Sequence, residues 1–577
     1  MVFTPPAWVS RLPFDPPDSI TIAEFVSNEL YGRYPIAQAR NPFTCGISGK
    51  TRTTQEVLQR EEYMARAMAK RLGYGLNKGS EWDRVVGLFS LNTIDYIPFT
   101  HAVHRLSGIV TPASAEYTAP ELEHQLRTSG ANALFTCIPL LETAATAAKS
   151  VGIGEDRIFV LPMAGFDKQV PFKTIDDLVE EGKSLSELPS LSWTPGQGAR
   201  QVAYLCYSSG TSGPPKAVMI SHHNVIANVM MTQWYDEAGR KENMVETQVM
   251  LGLLPLSHIY GLVVCGLYAL QNGNELVILP KFELKLFLCA VQRFRIEHMA
   301  IVPPIVVQML ENLELCRTYD LTSVRLLLSG AAPLGRETME EILRVYPKWH
   351  LCQGYGLTET SSVVTSTNEL DIMTGSSGSL IPRLRAKIID AEGNEVTEYE
   401  KPGELLVHGP TVALGYLNNT GATRSTFIHD EDGYWTRTGD EVLVRLSPMG
   451  NEHFFIIDRI KELIKVKGHQ VAPAELESHL LAHPLVADCA VIQVPDARAG
   501  EVPKAYVKKA IEAANEPDSE VVAAIRKHVE EHKARHKWLK GGIEFIDVIP
   551  KSPSGKILRR LLRDRERKVR KVNGARL

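Results

Sequence analysis

Short apolar runs alternate with amphipathic helical segments along most of this chain. Thr53 and Glu56 form a capping-box pair that opens a predicted helix, and apolar side chains recur at helical spacing from Val57 to Leu72. Apolar runs of strand length follow at 84–91, 133–137, 157–161 and 202–207. This alternation predicts an α/β fold with parallel or mixed sheets and flanking helices. Ligands of such sheets bind beyond the carboxyl ends of the strands.

The pattern changes after Asp458, where charged residues interrupt an apolar strand. The remaining segment predicts short elements of its own, with helices at 474–481 and 521–532 and strands at 486–494, 504–508 and 543–549. We therefore predict a large N-terminal domain at 1–458 and a small, mobile α+β C-terminal domain at 459–577.

The composition is that of a soluble globular protein. Of 577 residues, 44% are hydrophobic and 23% are charged, and the formal net charge of −4 gives no support for nucleic-acid binding. The longest apolar segment, 251–270, has the length of a membrane span, but Pro255 and three glycines interrupt it. We predict a buried strand, a turn and a helix there, and no integral membrane segment.

Three features of the chain bear on its compartment. The eight cysteines are scattered without a C-x-x-C pair, which favours free thiols in a reducing compartment over disulfides or a zinc site. The N-terminus carries prolines and an aspartate where a secretory signal would have an unbroken apolar core. The last residues, Ala575, Arg576 and Leu577, follow the small, basic, leucine pattern of a peroxisomal address. We expect a peroxisomal import receptor as a partner, with the cytoplasm as the alternative location.

The stretch from Tyr204 to Asn224, YLCYSSGTSGPPKAVMISHHN, holds the most informative chemistry. An apolar strand breaks into a loop of serines, threonine and glycines that ends at Lys216. Hydroxyl and backbone donors, glycines that let the backbone approach closely, and one mobile positive charge suit a polyphosphate. A simple surface turn has the same composition. A Walker loop is excluded because Pro215 precedes the lysine, and a G-x-S-x-G elbow because Gly213 directly follows Ser212.

This stretch resembles the phosphate-binding signature of the adenylate-forming superfamily, which contains acyl- and aryl-CoA ligases, firefly-type luciferases and peptide-synthetase adenylation domains. The resemblance extends from about residue 50 to 560 and is closest to 4-coumarate-CoA ligase-like peroxisomal acyl-CoA ligases. Ala217 and Ser212 replace the usual glycine and threonine. The resemblance implies that ATP phosphates bind at Ser208, Ser209, Gly210, Thr211, Ser212 and Lys216, with Thr211 also close to the metal.

Two later turns extend the likeness to a nucleotide site. The segment 326–335 is a strand that runs into small residues, and 352–360 brings together an aromatic ring, a hydroxyl and a carboxylate. As a Rossmann fingerprint the second turn fails, because Glu359 stands where the third glycine belongs. By resemblance, Tyr355 stacks on adenine, Thr358 binds phosphate or the substrate carboxylate, and Glu359 holds Mg²⁺. The same resemblance implies further nucleotide contacts from Gly330, Ala331, Gln353, Gly354, Asp440 at the ribose, and Arg459.

The acyl and coenzyme A sites are also implied by resemblance. His258 borders the acyl pocket, and its lining residues are Tyr260, Val264, Val302, Gly330 and Gly354. The 4-coumarate ligases share a serine at the position where this chain has Val264. The acyl group is therefore expected to be mostly apolar. Coenzyme A is expected to contact Lys281, Lys467 and Gly468.

The resemblance implies that two separate faces of the C-terminal domain act in turn. Lys556 resembles the adenylation lysine, Lys461 sits at the hinge and contacts the nucleotide, and Lys465 with Gln470 serves thioester formation. His469 departs from the pattern, where an aromatic residue is usual. The expected enzyme is an ATP-dependent acid–CoA ligase that uses ATP, Mg²⁺ and coenzyme A. It would convert an aryl acid, similar to cinnamate or phenylacetate, or a medium-chain acid through an acyl-adenylate to an acyl-CoA thioester.

Three alternatives remain open from the sequence. A luciferase-like oxygenase would share the domains and the terminal address. A carrier-protein-acylating adenylation enzyme would share the first reaction step. A nucleotide-binding relative without ligase activity is disfavoured because the lysines, the glutamate and the aspartate of the implied site are all present.

Overall fold

The computed structural model describes residues 1–166, 168–208, 215–467, 469–496, 498–514, 516–552 and 555–574. Within these ranges the α-helices are α1 (Ile22–Ser27), α2 (Thr54–Leu72), α3 (Tyr96–Arg105), α4 (Ala119–Ser129), α5 (Leu141–Ser150), α6 (Ile175–Lys183), α7 (Gln197–Arg200), α8 (His222–Glu242), α9 (Tyr268–Gln271), α10 (Leu284–Phe294), α11 (Pro303–Glu311), α12 (Leu313–Cys316), α13 (Arg336–Val345), α14 (Thr420–Thr426), α15 (Pro473–Leu481), α16 (Asp518–His532) and α17 (Arg559–Gly574). A π-helical segment spans Gly261–Leu267, and a short 3-10 turn spans Thr358–Thr360.

The strands belong to four sheets. They are β1 (Phe43–Cys45), β2 (Thr51–Arg52), β3 (Val85–Phe89), β4 (Ile109–Ala113), β5 (Ala133–Cys137), β6 (Ile158–Leu161), β7 (Lys173–Thr174), β8 (Val202–Ser208), β9 (Lys216–Ser221), β10 (Val249–Gly252), β11 (Glu275–Ile278), β12 (His298–Ile301), β13 (Leu326–Ser329), β14 (His350–Leu357), β15 (Ser362–Ser366), β16 (Ser379–Leu380), β17 (Arg385–Ile389), β18 (Gly403–His408), β19 (Phe427–Asp430), β20 (Gly433–Leu446), β21 (Glu452–Arg459), β22 (Ile464–Val466), β23 (His469–Val471), β24 (Val486–Asp496), β25 (Gly500–Lys509) and β26 (Ile543–Phe545).

Two large mixed sheets form the body of the molecule. One has the order β7-β6-β5-β3-β4-β8-β9 and is parallel except for the β8–β9 hairpin. The other has the order β16-β15-β14-β13-β12-β10-β11-β1-β2 and is parallel from β14 to β1. Helix α8 lies between them and contacts β8 and β9 of one sheet and β15 of the other. These layers confirm the predicted α/β class.

Local sequence signals explain where several helices begin. The Thr53 hydroxyl accepts a hydrogen bond from the backbone N–H of Glu56, and the Glu56 carboxylate accepts one from the N–H of Thr53 at 2.7 Å. Ser221 caps α8 in the same way through Asn224. Side-chain caps of this kind satisfy N–H groups that the first helical turn leaves unpaired.

A third, antiparallel sheet of β17, β18, β19, β20 and β21 follows in the chain. After Arg459 the strands join a fourth sheet, in which β23-β22-β25-β24 are antiparallel and β26 adds in parallel to β25. The predicted strand at 543–549 is shorter than expected. Its residue pairing with β25 ends at Phe545, and Val548 is exposed.

The long apolar segment 251–270 is buried within the N-terminal layers. It comprises the end of β10, the π-helical segment and the start of α9, as its glycine and proline interruptions predict. No helix within the described ranges combines the length and apolarity that crossing a membrane requires.

Candidate active site

The carboxyl ends of adjacent parallel strands bring the first group of predicted residues together. In the register of β12, β13 and β14, Ile301 pairs with Ser329 and Ser329 pairs with Gln353. Val302 and Gly330, which follow β12 and β13, and Gly354, within β14, therefore lie at one level of the sheet. This edge is where ligands of parallel sheets bind.

Tyr260 closes one side of this level. Its phenolic hydroxyl donates to the carbonyl oxygen of Leu328 at 3.2 Å, and its ring lies so close to Gly330 that a Cβ there would be 2.9 Å from the ring. Val264 in the π-helical segment and Val302 after β12 are both buried. The side chains predicted to line the acyl pocket are therefore apolar apart from the Tyr260 hydroxyl, which is already hydrogen-bonded.

The loop after β13 has a strained and anchored backbone. Ala331 adopts a left-handed conformation with φ of 66°, which is costly for a residue with a Cβ. The buried Gln353 carboxamide accepts a hydrogen bond from the backbone N–H of Leu334 at 2.9 Å and contacts the Met339 sulfur. Gln353, predicted as a nucleotide contact, thus uses its side chain to position the loop, and its backbone N–H and carbonyl are both hydrogen-bonded to Thr367.

Tyr355, Asp440 and Arg459 form a second group. Asp440 and Arg459 pair directly across β20 and β21, with the Arg459 Nε 3.4 Å from the Asp440 carboxylate. The Tyr355 hydroxyl donates to the other carboxylate oxygen at 2.7 Å. Burial raises the pKa of Asp440, while Arg459 and Tyr355 oppose that rise. A buried carboxylate fixed by two neighbours is suited to accept hydrogen bonds from a ligand diol.

The β8–β9 hairpin brings Ser208 and Lys216 opposite each other at the end that adjoins the connecting loop. Ser209, Gly210, Thr211 and Ser212, predicted as phosphate and metal contacts, lie outside the described residues. The Lys216 ammonium lies 5.0 Å from the centroid of the Tyr416 ring, within cation–π range. The lysine is therefore held at the base of the predicted phosphate loop.

Tyr416 also contacts the predicted metal ligand. Its hydroxyl donates to Glu359 at 2.8 Å. Backbone hydrogen bonds from Leu414 and Leu417 to β9 place the tyrosine there, and the N–H of Ala413 donates to the Glu359 carbonyl at 2.9 Å. Sequence reasoning did not identify Tyr416 as a site residue, because its contact with Glu359 joins residues 57 positions apart.

Lys556 joins these groups from the C-terminal segment. Burial and then the charge of Arg459 lower its pKa to about 8, while the nearby carboxylates of Asp440, Glu462 and Glu359 act in the opposite direction. Burial and the proximity of Lys556 lower the pKa of His258 to about 4, so that imidazole is neutral at physiological pH. A Cβ on Gly555 would lie 3.2 Å from the Val302 side chain. The structure thus places the predicted adenylation lysine beside the predicted nucleotide and acyl residues.

A buried ion-pair network anchors the helix that follows Lys556. The Arg559 guanidinium pairs with Glu477 of α15 and with Glu462, each at 2.5 Å. The backbone N–H of Lys556 donates to the Ser552 hydroxyl at 3.2 Å, and Gly555 takes the left-handed φ of 79° that this turn requires. Arg559 was missed because a basic residue in a basic helix gives no local signal of burial.

The residues predicted for the coenzyme A step lie elsewhere on the surface. Lys465 and Gln470 are exposed and directly opposite each other across β22 and β23. The predicted coenzyme A contacts Lys281 and Lys467 are also exposed, and Gly468 lies outside the described residues. Of the predicted nucleotide contacts, Lys461 is exposed and Thr358 is half-buried. The structure therefore assembles the adenylation group and leaves the thioester group facing solvent.

The surroundings of Glu359 fit a magnesium ion. Its half-buried carboxylate offers the hard oxygen ligands that Mg²⁺ prefers, and in the described part of the chain no lysine or arginine forms a salt bridge with it. Lys216 remains near through the shared tyrosine. A divalent cation at this position would lie near the Glu359 carboxylate, and a polyphosphate would lie near the Lys216 ammonium.

Comparison with known proteins agrees with this arrangement. A family model described as AMP-binding enzyme matches residues 38–417, and one described as AMP-binding enzyme C-terminal domain matches residues 475–556. The acyl-CoA ligase AFT1-1 of Alternaria alternata is 40% identical over 98% of this chain and 97% of its own length. The acyl-CoA ligase AKT1 of the same organism is 40% identical over 100% of this chain and 99% of its own length.

A solved structure shows the same fold. The anthranilate CoA ligase AuaEII, in complex with anthranoyl-AMP, superposes with a TM-score of 0.80 at 24% identity, over 96% of this chain and 98% of that chain. The relatives do not support the predicted 4-coumarate-CoA ligase-like subtype. The chain belongs to the family of AMP-binding enzymes and to its acyl-CoA ligases, for which ATP, Mg²⁺ and coenzyme A are the cofactors.

Proposed function

We propose that this protein activates an aryl or medium-chain carboxylic acid as its acyl-adenylate and then transfers the acyl group to coenzyme A. The position of Lys556 carries the proposal, because its ammonium interacts with Asp440 and Glu359, which lie on separate elements of the N-terminal part. An acidic and basic cluster at the carboxyl edge of a parallel sheet suits a nucleotide with a reacting phosphate.

In the first step a carboxylate oxygen of the acid attacks the α-phosphorus of ATP, and pyrophosphate leaves. Lys556 and Lys216 supply positive charge where negative charge develops on the phosphate oxygens. Asp440 accepts hydrogen bonds from the ribose, with Arg459 beside it. Mg²⁺, held through Glu359 and Thr211, supplies charge neutralisation on the phosphates when it is bound.

In the second step the coenzyme A thiol attacks the acyl carbonyl, and AMP leaves. Lys465 and Gln470 share one exposed face of a hairpin, whereas Lys556 occupies the buried site. We infer that the small domain turns about Lys461 between the two steps so that the hairpin replaces Lys556 at the acyl group. Lys281, Lys467 and Gly468 are then the coenzyme A contacts.

The acyl pocket favours an apolar acid. Val264 and Val302 are buried, Tyr260 already donates its hydroxyl to the protein backbone, and His258 is uncharged at neutral pH. None of these side chains offers a charge to pair with a second polar group on the acid. Aromatic and medium-chain aliphatic acids fit this lining best.

The test is a panel of carboxylic acids assayed for AMP release with ATP, Mg²⁺ and coenzyme A. We expect apolar aryl and medium-chain acids to give the highest kcat/KM and dicarboxylic acids of similar size to give at least about tenfold less. Equal rates with dicarboxylic acids would contradict the proposed pocket, and no AMP release with any acid would contradict the proposed ligation.

The proposed location is the peroxisome. It rests on Ala575, Arg576 and Leu577, which lie outside the described residues, and on their match to a terminal import signal. A fluorescent fusion at the N-terminus should lose peroxisomal location when these three residues are deleted. An unchanged location would remove the proposal and its import receptor.

A further inference from the structure

Three histidines form a cluster between two helices of the C-terminal segment, away from the adenylation group. His479 lies on α15, and His528 and His532 lie one turn apart on α16. One ring nitrogen from each of the three lies within 4.8 Å of the other two. A pair at i and i+4 joined by a third histidine from a neighbouring helix is a common ligand arrangement for transition metals.

Hydrogen bonds to backbone carbonyls set the tautomer of all three rings. The Nε2 of His479 donates to the carbonyl oxygen of His528 at 3.3 Å, and the Nε2 of His528 donates to the carbonyl oxygen of His479 at 3.2 Å. The Nδ1 of His532 donates to the carbonyl oxygen of His528 at 2.8 Å. A carbonyl oxygen only accepts, so each bonded nitrogen carries the proton, and the other nitrogen of each neutral ring carries a lone pair.

The rings are packed in a way that favours the neutral form. His479 and His528 stack with centroids 4.1 Å apart and planes 8° from parallel, an arrangement that two charged rings would oppose. Metal ions bind the neutral imidazole, usually with the second ring nitrogen donating to a carbonyl or carboxylate.

The surroundings of the cluster select the kind of metal. The nearby Lys533 is neutralised by Glu475, which also pairs with Lys537, so that carboxylate is already engaged. His483 packs against His528, but its Nδ1 accepts a hydrogen bond from the backbone N–H of Leu485, which leaves its Nε2 protonated. The ligand set is therefore three neutral nitrogens, which suits Zn²⁺ and its neighbours in the first transition row and does not suit Mg²⁺ or Ca²⁺.

We propose that His479, His528 and His532 bind one divalent transition-metal ion of the Zn²⁺ type, with water in the remaining position. Ligand nitrogens around a tetrahedral ion at about 2.0–2.1 Å lie roughly 3.3 Å apart. Imidazole lone pairs lie in the ring plane, so metal binding requires side-chain rotation that opens the parallel stack of His479 on His528. The ion ties α15 to α16 and stabilises the small domain. Because α15 also receives the Arg559 ion pair, the ion supports the element that holds the Lys556 turn without entering the reaction.

Titration of the full-length protein with Co²⁺ tests the site, since a nitrogen-ligated tetrahedral Co²⁺ gives intense visible absorption. We expect one equivalent to bind, to be displaced by Zn²⁺, and to raise the thermal unfolding midpoint. His528→Gln and His532→Gln should each weaken Co²⁺ binding at least about tenfold and abolish the metal-dependent shift in midpoint. His536→Gln is the control, since His536 stacks on His469 in a separate pair and should leave binding unchanged.

Folding of the variants is verified by circular dichroism and by the metal-free unfolding midpoint. The proposal is overturned if the folded wild-type protein shows no Co²⁺ spectrum, or if the triple variant His479→Gln, His528→Gln, His532→Gln binds Co²⁺ as tightly as the wild type. Loss of binding in His536→Gln alone would place the metal at a different site and would overturn it equally. Ligase activity is not a readout here, so these outcomes are independent of the proposed reaction.

Discussion

The hydroxyl of Tyr416 donates a 2.8 Å hydrogen bond to Glu359, while its ring lies under the Lys216 ammonium, 5.0 Å from the centroid. One aromatic side chain therefore touches both the proposed metal ligand and the proposed phosphate-binding lysine. It holds the Glu359 carboxylate and the Lys216 ammonium near the proposed polyphosphate site while keeping them from forming a direct ion pair. We therefore predict that Tyr416 is a positioning residue for the proposed adenylation step.

Tyr416→Phe keeps the ring under Lys216 and removes only the bond to Glu359. Because hydrogen bonds to charged groups contribute about 1.5–3 kcal/mol, we expect the Mg²⁺ concentration needed for half-maximal adenylation to rise by about tenfold or more. The measurement is ATP–pyrophosphate exchange as a function of Mg²⁺. Tyr434→Phe is the matched control, since that hydroxyl donates to the Ala413 carbonyl and not to a carboxylate. An unchanged Mg²⁺ dependence in Tyr416→Phe would remove the positioning role.

Lys556→Ala separates the two half-reactions. The substitution removes a buried charge from the adenylation group, so acyl-adenylate formation should fall by about a hundredfold or more. Thioester formation from supplied acyl-adenylate and coenzyme A should remain near the wild-type rate, because Lys465 and Gln470 are intact. Lys551→Ala serves as the control, since Lys551 lies in the same turn region but pairs with Asp488. Equal losses in both half-reactions would contradict the assignment.

The pH dependence of adenylation should reflect Lys556. Its pKa is lowered to about 8, and only the protonated amine supplies charge, so kcat/KM for the first step should be level below that pH and decline above it. Lys556→Arg should lose the decline, because a guanidinium stays charged throughout this range. The measurement is a pH profile of ATP–pyrophosphate exchange for both proteins. A wild-type profile that stays level to pH 10 would show that this amine does not act as proposed.

Gly330→Ala should narrow the acyl pocket. The new Cβ would lie 2.9 Å from the Tyr260 ring, closer than real contacts allow, so the ring must move toward the space for the acid. We expect KM for the preferred acid to rise by about tenfold, with a much smaller change in KM for ATP. Gly421→Ala is the control, because a Cβ there meets nothing within 4 Å. Equal effects of Gly330→Ala on both KM values would place Gly330 at the nucleotide instead.

Much of the fold could be predicted because its signals are local. The capping pair at Thr53 and Glu56 and the periodicity that follows it predicted α2, and short apolar runs predicted β5 and β6. The motif register also pointed to Lys556 and Asp440, more than a hundred residues apart. Family resemblance implied that Lys556 and Asp440 lie close to each other, and the structure places them in one group.

Other relationships have no local signal. The length of a strand depends on the strand with which it pairs. For this reason β26 ends at Phe545, where its pairing with β25 ends, although its apolar run continues. Whether a basic residue such as Arg559 is buried depends on acids from α15 and from the segment after β21.

The sequence by itself determined the α/β class, because the class follows from spacing along one chain, and family resemblance predicted the phosphate loop and the residue types of the site. Only the tertiary structure decided that Tyr416 meets Glu359, that Arg559 fixes the turn of Lys556, and that His479 meets His528 and His532. The pairs Tyr416–Glu359, Arg559–Glu477 and His479–His528 join residues 57, 82 and 49 positions apart, which no periodicity relates, so these contacts arise only when the packed elements bring them together.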